Sequence, residues 1–256
     1  MRYRVLGCYG GEVPGCHLSS FLLDDTLLID AGSVTAILEI PAQLKLEAVL
    51  ITHSHLDHVR GLAHLADNMF GGRDEPLKVY SIAPVLDSLK DFLLNNILWP
   101  NFTEIPTSHL PILDFRPLPE RKTTTFGHLR ITPIRLSHAV ISVGYLVEGD
   151  FGVLLHLGDT GPTEEIWRVV KDTPNLRAIV IGTTFPNRLQ HLADLSGHLT
   201  PQGLKAELAK ADVEAEIYVY HLKPQYANQI IEELGQTVPQ CHMLEQGREY
   251  EFSPLS

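Results

Sequence analysis

The segment at residues 51–62, ITHSHLDHVRGL, carries the densest group of metal-binding side chains in this chain of 256 residues. Nitrogen and oxygen donors of this kind suit Zn²⁺ or Fe²⁺. One ion cannot easily take four ligands from so short a loop, so the spacing indicates two adjacent ions. An apolar run before the cluster and a helical pattern after it argue against the alternative, a solvated histidine-rich surface turn. The four side chains are His53, His55, Asp57 and His58.

The flanking patterns predict how these side chains are held. Residues 47–52 form a β-branched apolar run, typical of a strand that ends at Thr52. His53 and His55 then project to the same side if the chain stays extended. Residues 59–70 place apolar side chains at helical spacing. The sequence therefore predicts a metal loop between a buried strand and a helix.

Strand and helix patterns alternate along the rest of the chain. Asp24-Asp25 separates two early apolar runs and indicates a hairpin, whereas Thr200-Pro201 indicates the start of a helix. A helix is predicted over residues 85–99, and the proline-rich residues 100–122 are expected to be irregular. These patterns predict an α/β fold of two packed sheets with helices outside, but they leave the topology open. We expect a single domain over residues 1–256.

Three further ligand-type residues stand at the ends of predicted strands: His138, Asp159 and His221. Taken alone, a histidine at a strand end is more often a hydrogen-bonded surface residue than a ligand. An aspartate between glycines is commonly a turn former. Their interpretation as metal ligands therefore depends on the motif at residues 53–58 and on the order in which they follow it.

The overall charge is acidic, with 20 Lys and Arg against 31 Asp and Glu, a formal net charge of −11. Nucleic-acid binding depends on basic patches, so we expect no nucleic-acid partner, although a metal site can still attract a small anion. No apolar run is long enough to span a bilayer, and the first residues lack the apolar segment of a signal peptide. We expect reduced thiols at Cys8, Cys16 and Cys241, a cytoplasmic location and no membrane contact.

The H-x-H-x-D-H pattern after an apolar strand resembles the metal loop of the metallo-β-lactamase superfamily. The resemblance implies a four-layer αβ/βα sandwich of two mixed sheets flanked by helices. It also implies two divalent metal ions, with zinc as the first expectation and manganese or iron as alternatives. It further implies that Asp30, in LLIDAG, supports the metal loop without binding metal. The implied ligands are His53, His55 and His138 for one ion, Asp57, His58 and His221 for the other, and Asp159 as the bridge.

Within the superfamily, the chain is most similar to the class II 3′,5′-cyclic-nucleotide phosphodiesterases. Residues 53–62 match their signature, except that Asp67 and Asn68 stand near the place of its later serine. The similarity continues in LGCYGG near the start, in ILWPNF and in residues 185–204, and it implies that residues 84–122 are a family-specific insertion. His198, in SGHLTP, would touch the phosphate or the leaving group. The alternative for this residue is a histidine that caps or pins a loop.

The implied activity is hydrolysis of a small phosphodiester, cyclic AMP or cyclic GMP, to the 5′-monophosphate, with Asp57 and His198 as catalytic residues. A lactonase or thioesterase is an alternative, because the same activated water can attack an acyl carbon. A non-catalytic metal-binding sensor is a second alternative, disfavoured because every expected ligand is present. The acidic charge disfavours a tRNA-processing nuclease. A homodimer is the commonest oligomeric form, and the sequence leaves the metal and the base of the substrate open.

Overall fold

The computed structural model describes residues 1–211 and 214–255, and in these ranges the chain forms two seven-stranded sheets that pack face to face. Numbered along the chain, the strands of the first sheet follow the spatial order β16 (Glu249–Glu251), β1 (Arg2–Gly7), β2 (Ser20–Leu23), β3 (Leu27–Ile29), β4 (Ala48–Leu50), β5 (Leu77–Ser81) and β8 (Leu113–Pro117). The second sheet has the order β15 (Cys241–Met243), β14 (Glu216–Tyr220), β13 (Leu176–Gly182), β12 (Gly152–His156), β11 (Ser142–Gly149), β10 (Leu129–Leu136) and β9 (Thr124–Phe126). Both sheets combine parallel and antiparallel pairs.

Helices occupy the outer faces of both sheets. They are α1 (Val34–Ile37), α2 (Ile40–Gln43), α3 (Leu56–Met69), α4 (Ala83–Phe92), α5 (Glu165–Lys171), α6 (Gln190–Ser196), α7 (Pro201–Leu208) and α8 (Ala227–Thr237). Strand β13 shows why two core layers form, because its successive side chains point to opposite faces. Ala178 and Val180 join the core between the sheets, whereas Ile179 and Ile181 pack with apolar side chains of the outer helices. The expected sandwich of two mixed sheets flanked by helices is confirmed.

Three local signals in the sequence are confirmed. Asp24 and Asp25 turn between β2 and β3 with φ values of 44° and 63°, in the left-handed region that aspartate tolerates. Helix α3 begins directly after His55 and buries one face in the core. At the start of α7, the Thr200 hydroxyl accepts a hydrogen bond from the Gly203 amide at 3.1 Å, as the threonine–proline pair predicts.

The prediction for residues 85–122 is wrong in two places. The helix ends at Phe92, and Asn96 turns the chain with φ of 63°. Residues 100–122 are not irregular throughout, because β8 pairs in parallel with β5 as an edge strand. The proline at its end, Pro117, is tolerated since an edge strand need not donate every amide to a neighbour. A short hairpin of β6 (Pro106–Thr107) and β7 (Leu110–Pro111) precedes it, and the segment's status as an insertion stays a prediction.

Two further features of the structure concern the cysteines and the helices. Cys8, Cys16 and Cys241 are unpaired thiols. Among the helices in the described ranges, none combines the length and the apolar character that crossing a bilayer requires.

A buried carboxylate ties α5 to α7, the helix that follows His198. Glu207 accepts hydrogen bonds from the indole N–H of Trp167 at 2.7 Å and from the amide of Thr163 at 3.1 Å. Its other oxygen pairs with the ammonium group of Lys210 at 2.7 Å. Lys210 also contacts Glu164, a carboxylate on the surface.

Glu207→Ala should lower the free energy of unfolding by about 3 kcal/mol, because it leaves two N–H donors without their acceptor. Chemical denaturation monitored by circular dichroism measures this change. Glu164→Ala is the matched control, since it removes the exposed partner of the same Lys210, and it should have a far smaller effect. Equal effects of the two variants would contradict the importance of the buried network.

Candidate metal centre

The predicted ligands lie at one edge of the two sheets, where parallel strands end. Strands β3 and β4 run in the same direction, and so do β10, β12, β13 and β14. Their carboxyl ends therefore meet at the same edge. The residues brought there are Asp30 after β3, His53 and His55 after β4, Asp57 and His58 in the first turn of α3, His138 after β10, Asp159 after β12 and His221 after β14.

Two groups of three side chains form at this edge, each with its ligand atoms within 4.8 Å of one another. In the first, Nδ1 of His55 lies 3.2 Å from Nε2 of His138, and His53 completes the group. In the second, Nε2 of His221 lies 3.2 Å from Oδ2 of Asp57 and 3.2 Å from Nε2 of His58. These are the two groups that the resemblance implied, and each could hold a divalent cation.

Asp159 lies between the two groups. Its Oδ2 atom is 3.7 Å from Nε2 of His53, 3.5 Å from Nε2 of His58 and 3.2 Å from Nε2 of His221. The side chain is 1% exposed, and neither carboxylate oxygen has a hydrogen-bond partner among the described residues. The same is true of Nε2 of His53. Because buried polar atoms are rarely left unpaired, this arrangement fits residues that share cations.

Asp30 lies behind the segment at residues 53–58 and makes hydrogen bonds to it, and the supporting role that the resemblance implied stays a prediction. Its Oδ2 accepts a hydrogen bond from Nδ1 of His58 at 2.7 Å, and its Oδ1 accepts one from the amide of Thr52 at 2.8 Å. The Thr52 hydroxyl, 2.9 Å from Oδ2, also lies 3.0 Å from Nδ1 of His53. With Nδ1 engaged outward, both rings present Nε2 to the site.

The rings of His138 and His221 are oriented in the same way from outside the cluster. Nδ1 of His138 donates to the carbonyl oxygen of Gly197 at 2.7 Å, and Nδ1 of His221 lies 3.0 Å from the hydroxyl of Thr184. Sequence reasoning did not single out Thr184 or Gly197 for these roles. No local pattern marks them, because each contact joins positions far apart in the chain.

Burial and neighbouring charges shift the pKa values of the clustered residues in different directions. Burial lowers the pKa of His53. Burial also disfavours charge on His58, but the carboxylates of Asp159 and Asp30 outweigh it and raise the pKa of that ring. Conversely, burial would raise the pKa of Asp159, but His221 and His58 hold it well below its usual value. A buried ionised carboxylate balanced by an imidazolium is a place where a metal cation can replace a proton.

His221 has an unusual backbone conformation, with φ of 68°. This left-handed conformation costs a non-glycine residue about 1–3 kcal/mol and persists only where the surroundings hold it. The His221 amide donates to the carbonyl oxygen of Cys8 at 2.7 Å, which brings the N-terminal loop against the ring. A Cβ atom on Gly10 would lie 2.7 Å from Cε1 of His221, so only glycine fits there. The glycine-rich segment LGCYGG thus lets the backbone pack on a ligand candidate.

His198 lies beside both groups. Its ring centroid is 5.0 Å from that of His138 and 5.4 Å from that of His221, and its Nδ1 is 3.8 Å from Oδ2 of Asp159. Burial lowers its pKa to about 3, which keeps the ring neutral. His198 with His138 and Asp159 also forms a group that could hold an ion, so its position alone does not separate a ligand from a substrate contact.

Comparison with known proteins connects this site with a family. The sequence profile of the β-lactamase superfamily domain matches residues 26–235, most of the chain. The chain belongs to the metallo-β-lactamase superfamily.

Relatives of this metallo-β-lactamase fold protein have several names. The chain is 26% identical over 209 residues to a probable 3′,5′-cyclic-nucleotide phosphodiesterase of Yersinia pestis, covering 71% of the chain but only 58% of that relative. The crystal structure of unliganded yeast PDE1 superposes with a TM-score of 0.81, 16% identity and coverage of 97% of this chain and 98% of that one. The metallo-β-lactamase fold protein YhfI of Bacillus subtilis superposes with a TM-score of 0.78 and 17% identity, and the match covers 97% of this chain and 98% of that one. Other relatives are named ribonuclease Z.

Asp30→Asn should weaken metal binding about 10- to 100-fold, because an amide nitrogen in this position would face donors that need an acceptor. Competition with a chelator, followed by elemental analysis, measures the affinity. Asp67→Asn, which changes an exposed carboxylate on the same helix as His58, is the control and should bind metal like the unchanged protein. Unchanged affinity in Asp30→Asn would contradict the supporting role.

Proposed function

We propose that the chain is a binuclear metal-dependent phosphodiesterase that hydrolyses a 3′,5′-cyclic nucleotide to the 5′-monophosphate. The observation that carries the proposal is the position of Asp159, whose Oδ2 atom lies within 3.7 Å of ligand atoms from both groups. A shared carboxylate of this kind is suited to two adjacent ions. The names of several relatives support the choice of a cyclic nucleotide.

The proposed ligands follow from the geometry of the two groups. When bound, two divalent cations, zinc first among the candidates, would supply an activated water and neutralise charge on a phosphate. The proposed ligands are His53, His55 and His138 in one group, Asp57, His58 and His221 in the other, and Asp159 between them.

Asp57 and His198 are the proposed catalytic residues. The side chain of Asp57 is 23% exposed, whereas that of Asp159 is almost fully enclosed, so Asp57 is the carboxylate that can orient a water molecule from the cleft. The His198 ring is 10% exposed and can donate a hydrogen bond from Nε2 to the phosphate or to the leaving 3′ oxygen. Both residues thus act at the open side of the cluster.

We infer that the substrate is a small anion and not a long nucleic acid. The net charge of −11 supports this, because it repels a polyanion along its length while leaving the cation site attractive to a single phosphate. Relatives named ribonuclease Z make RNA the competing substrate, and a lactone is the second competitor because the same water could attack an acyl carbon. We also propose a homodimer, the commonest oligomeric form.

Purified protein loaded with Zn²⁺ or Mn²⁺ should hydrolyse cyclic AMP or cyclic GMP and bis-p-nitrophenyl phosphate, but not a simple lactone or a precursor tRNA. Chromatographic detection of the 5′-monophosphate identifies the product. Turnover of the lactone alone, or of precursor tRNA alone, would overturn the proposed substrate class while leaving the metal centre in place.

Asp159→Asn should abolish turnover and reduce the metal content below two ions per chain, because the amide cannot supply a charged oxygen to both groups. Elemental analysis of the purified variant gives the metal content, and Asp67→Asn again serves as the surface control. Full activity of Asp159→Asn with two ions bound would refute the shared carboxylate.

His198→Ala should lower kcat about 10²- to 10³-fold, the range expected for loss of a positioned hydrogen-bond donor, and leave the metal content unchanged. Steady-state kinetics together with elemental analysis separate the two effects. Loss of an ion from this variant would reassign His198 as a ligand, in the group that it forms with His138 and Asp159.

A further inference from the structure

The hydroxyl of Thr184 lies between two histidine rings of the centre. Its Oγ1 atom is 3.0 Å from Nδ1 of His221 and 3.1 Å from Nδ1 of His198. Thr184 follows β13 and is buried. It therefore connects a proposed ligand with the proposed catalytic histidine, although nothing in the sequence pattern singled it out.

The direction of the first hydrogen bond follows from the orientation of His221. This ring presents Nε2 to Asp57 and Asp159, at 3.2 Å from each carboxylate. When Nε2 uses its lone pair to bind a cation, the ring hydrogen must be on Nδ1. Nδ1 therefore donates to Thr184, and the threonine oxygen accepts.

The direction of the second hydrogen bond follows from the first. A hydroxyl has one hydrogen to donate, and among the described residues Thr184 bonds through Oγ1 only to these two rings. Its hydrogen therefore points to Nδ1 of His198, which must accept it. A neutral imidazole that accepts at Nδ1 carries its hydrogen on Nε2.

The opposite tautomer of His198 would leave a buried donor unpaired. If Nδ1 of His198 carried the hydrogen, both rings would donate to Thr184 and the threonine hydrogen would have no acceptor in the described structure. Asp159 cannot take over the contact, because its Oδ2 lies 3.8 Å from Nδ1 of His198, beyond hydrogen-bonding distance.

We propose that Thr184 is a positioning residue that holds His198 as the Nε2–H tautomer, by accepting a hydrogen bond from His221 and donating one to His198. The consequence of this tautomer for catalysis rests on the proposed function. Nε2 of His198, which has no hydrogen bond among the described residues, is then the atom that donates a hydrogen bond to the phosphate or to the leaving oxygen. The orientation of a ligand and the tautomer of its neighbour are thus set by one hydroxyl.

Three variants test this arrangement. Thr184→Val keeps the shape of the side chain but removes the hydroxyl, whereas Thr184→Ser keeps the hydroxyl. Thr183→Val is the matched control, because Thr183 is the adjacent buried threonine and its hydroxyl has no partner among the described residues. At saturating metal, with metal content verified, we expect Thr184→Val to lower kcat about 10- to 100-fold with little change in KM. Thr184→Ser and Thr183→Val should remain close to the unchanged protein.

A double-mutant cycle shows which histidine transmits the effect. Combined with His198→Ala, Thr184→Val should cause no further loss of kcat, since the residue through which it acts is already gone. An equal loss in both backgrounds would mean that Thr184 acts only through His221, and the proposal would be wrong. The substrate for these assays is bis-p-nitrophenyl phosphate.

The tautomer can be measured without any substrate. Long-range ¹H–¹⁵N NMR spectra of histidine-labelled, metal-loaded protein should show His198 protonated at Nε2, with the signal assigned by its loss in His198→Ala. A His198 signal protonated at Nδ1 in the unchanged protein would overturn the proposal, even if Thr184→Val fails to fold. Failure to hydrolyse any phosphodiester would instead overturn the proposed function, while the NMR result would still decide the tautomer.

Discussion

The structure depends on a carboxylate, Asp159, that is buried among four histidine rings and whose oxygens have no hydrogen-bond partner in the described part of the chain. Burying an ionised carboxylate is strongly unfavourable unless positive charge or hydrogen bonds compensate for it. The rings of His58 and His221 supply part of this compensation, and cations would supply the rest. The strand ends, the glycine contacts and the outer hydrogen bonds all serve to keep these groups in one place.

Two sheets are needed because the ligands come from both. Asp30 and residues 53–58 follow strands of the first sheet, whereas His138, Asp159 and His221 follow strands of the second. Tyr145 joins the sheets near the site, since its hydroxyl donates to the carbonyl oxygen of Ile51 at 2.6 Å. Packing of the inner faces therefore fixes the distance between the halves of the centre, and the apolar core is a condition for the chemistry.

Proteins with different names share this fold, so the fold alone does not define the substrate. Phosphodiesterases and ribonuclease Z proteins are both among the relatives, at low identity. In this chain, the partly exposed residues among the proposed ligands are His55, Asp57 and His138, and the overall composition is strongly acidic.

The sequence by itself determined the metal loop, because four ligand-type residues within six positions are a local pattern. It also determined α3, the turn at Asp24 and Asp25, and the α/β class, which follow from periodicity and turn chemistry. The tertiary structure decided what local patterns cannot encode. Pairing with β5 makes β8 a strand in a proline-rich segment, and contact with Cys8 holds His221 in a left-handed conformation. Thr184 acquires its two histidine partners in the same way, because hydrogen bonds between distant positions exist only after the sheets have packed.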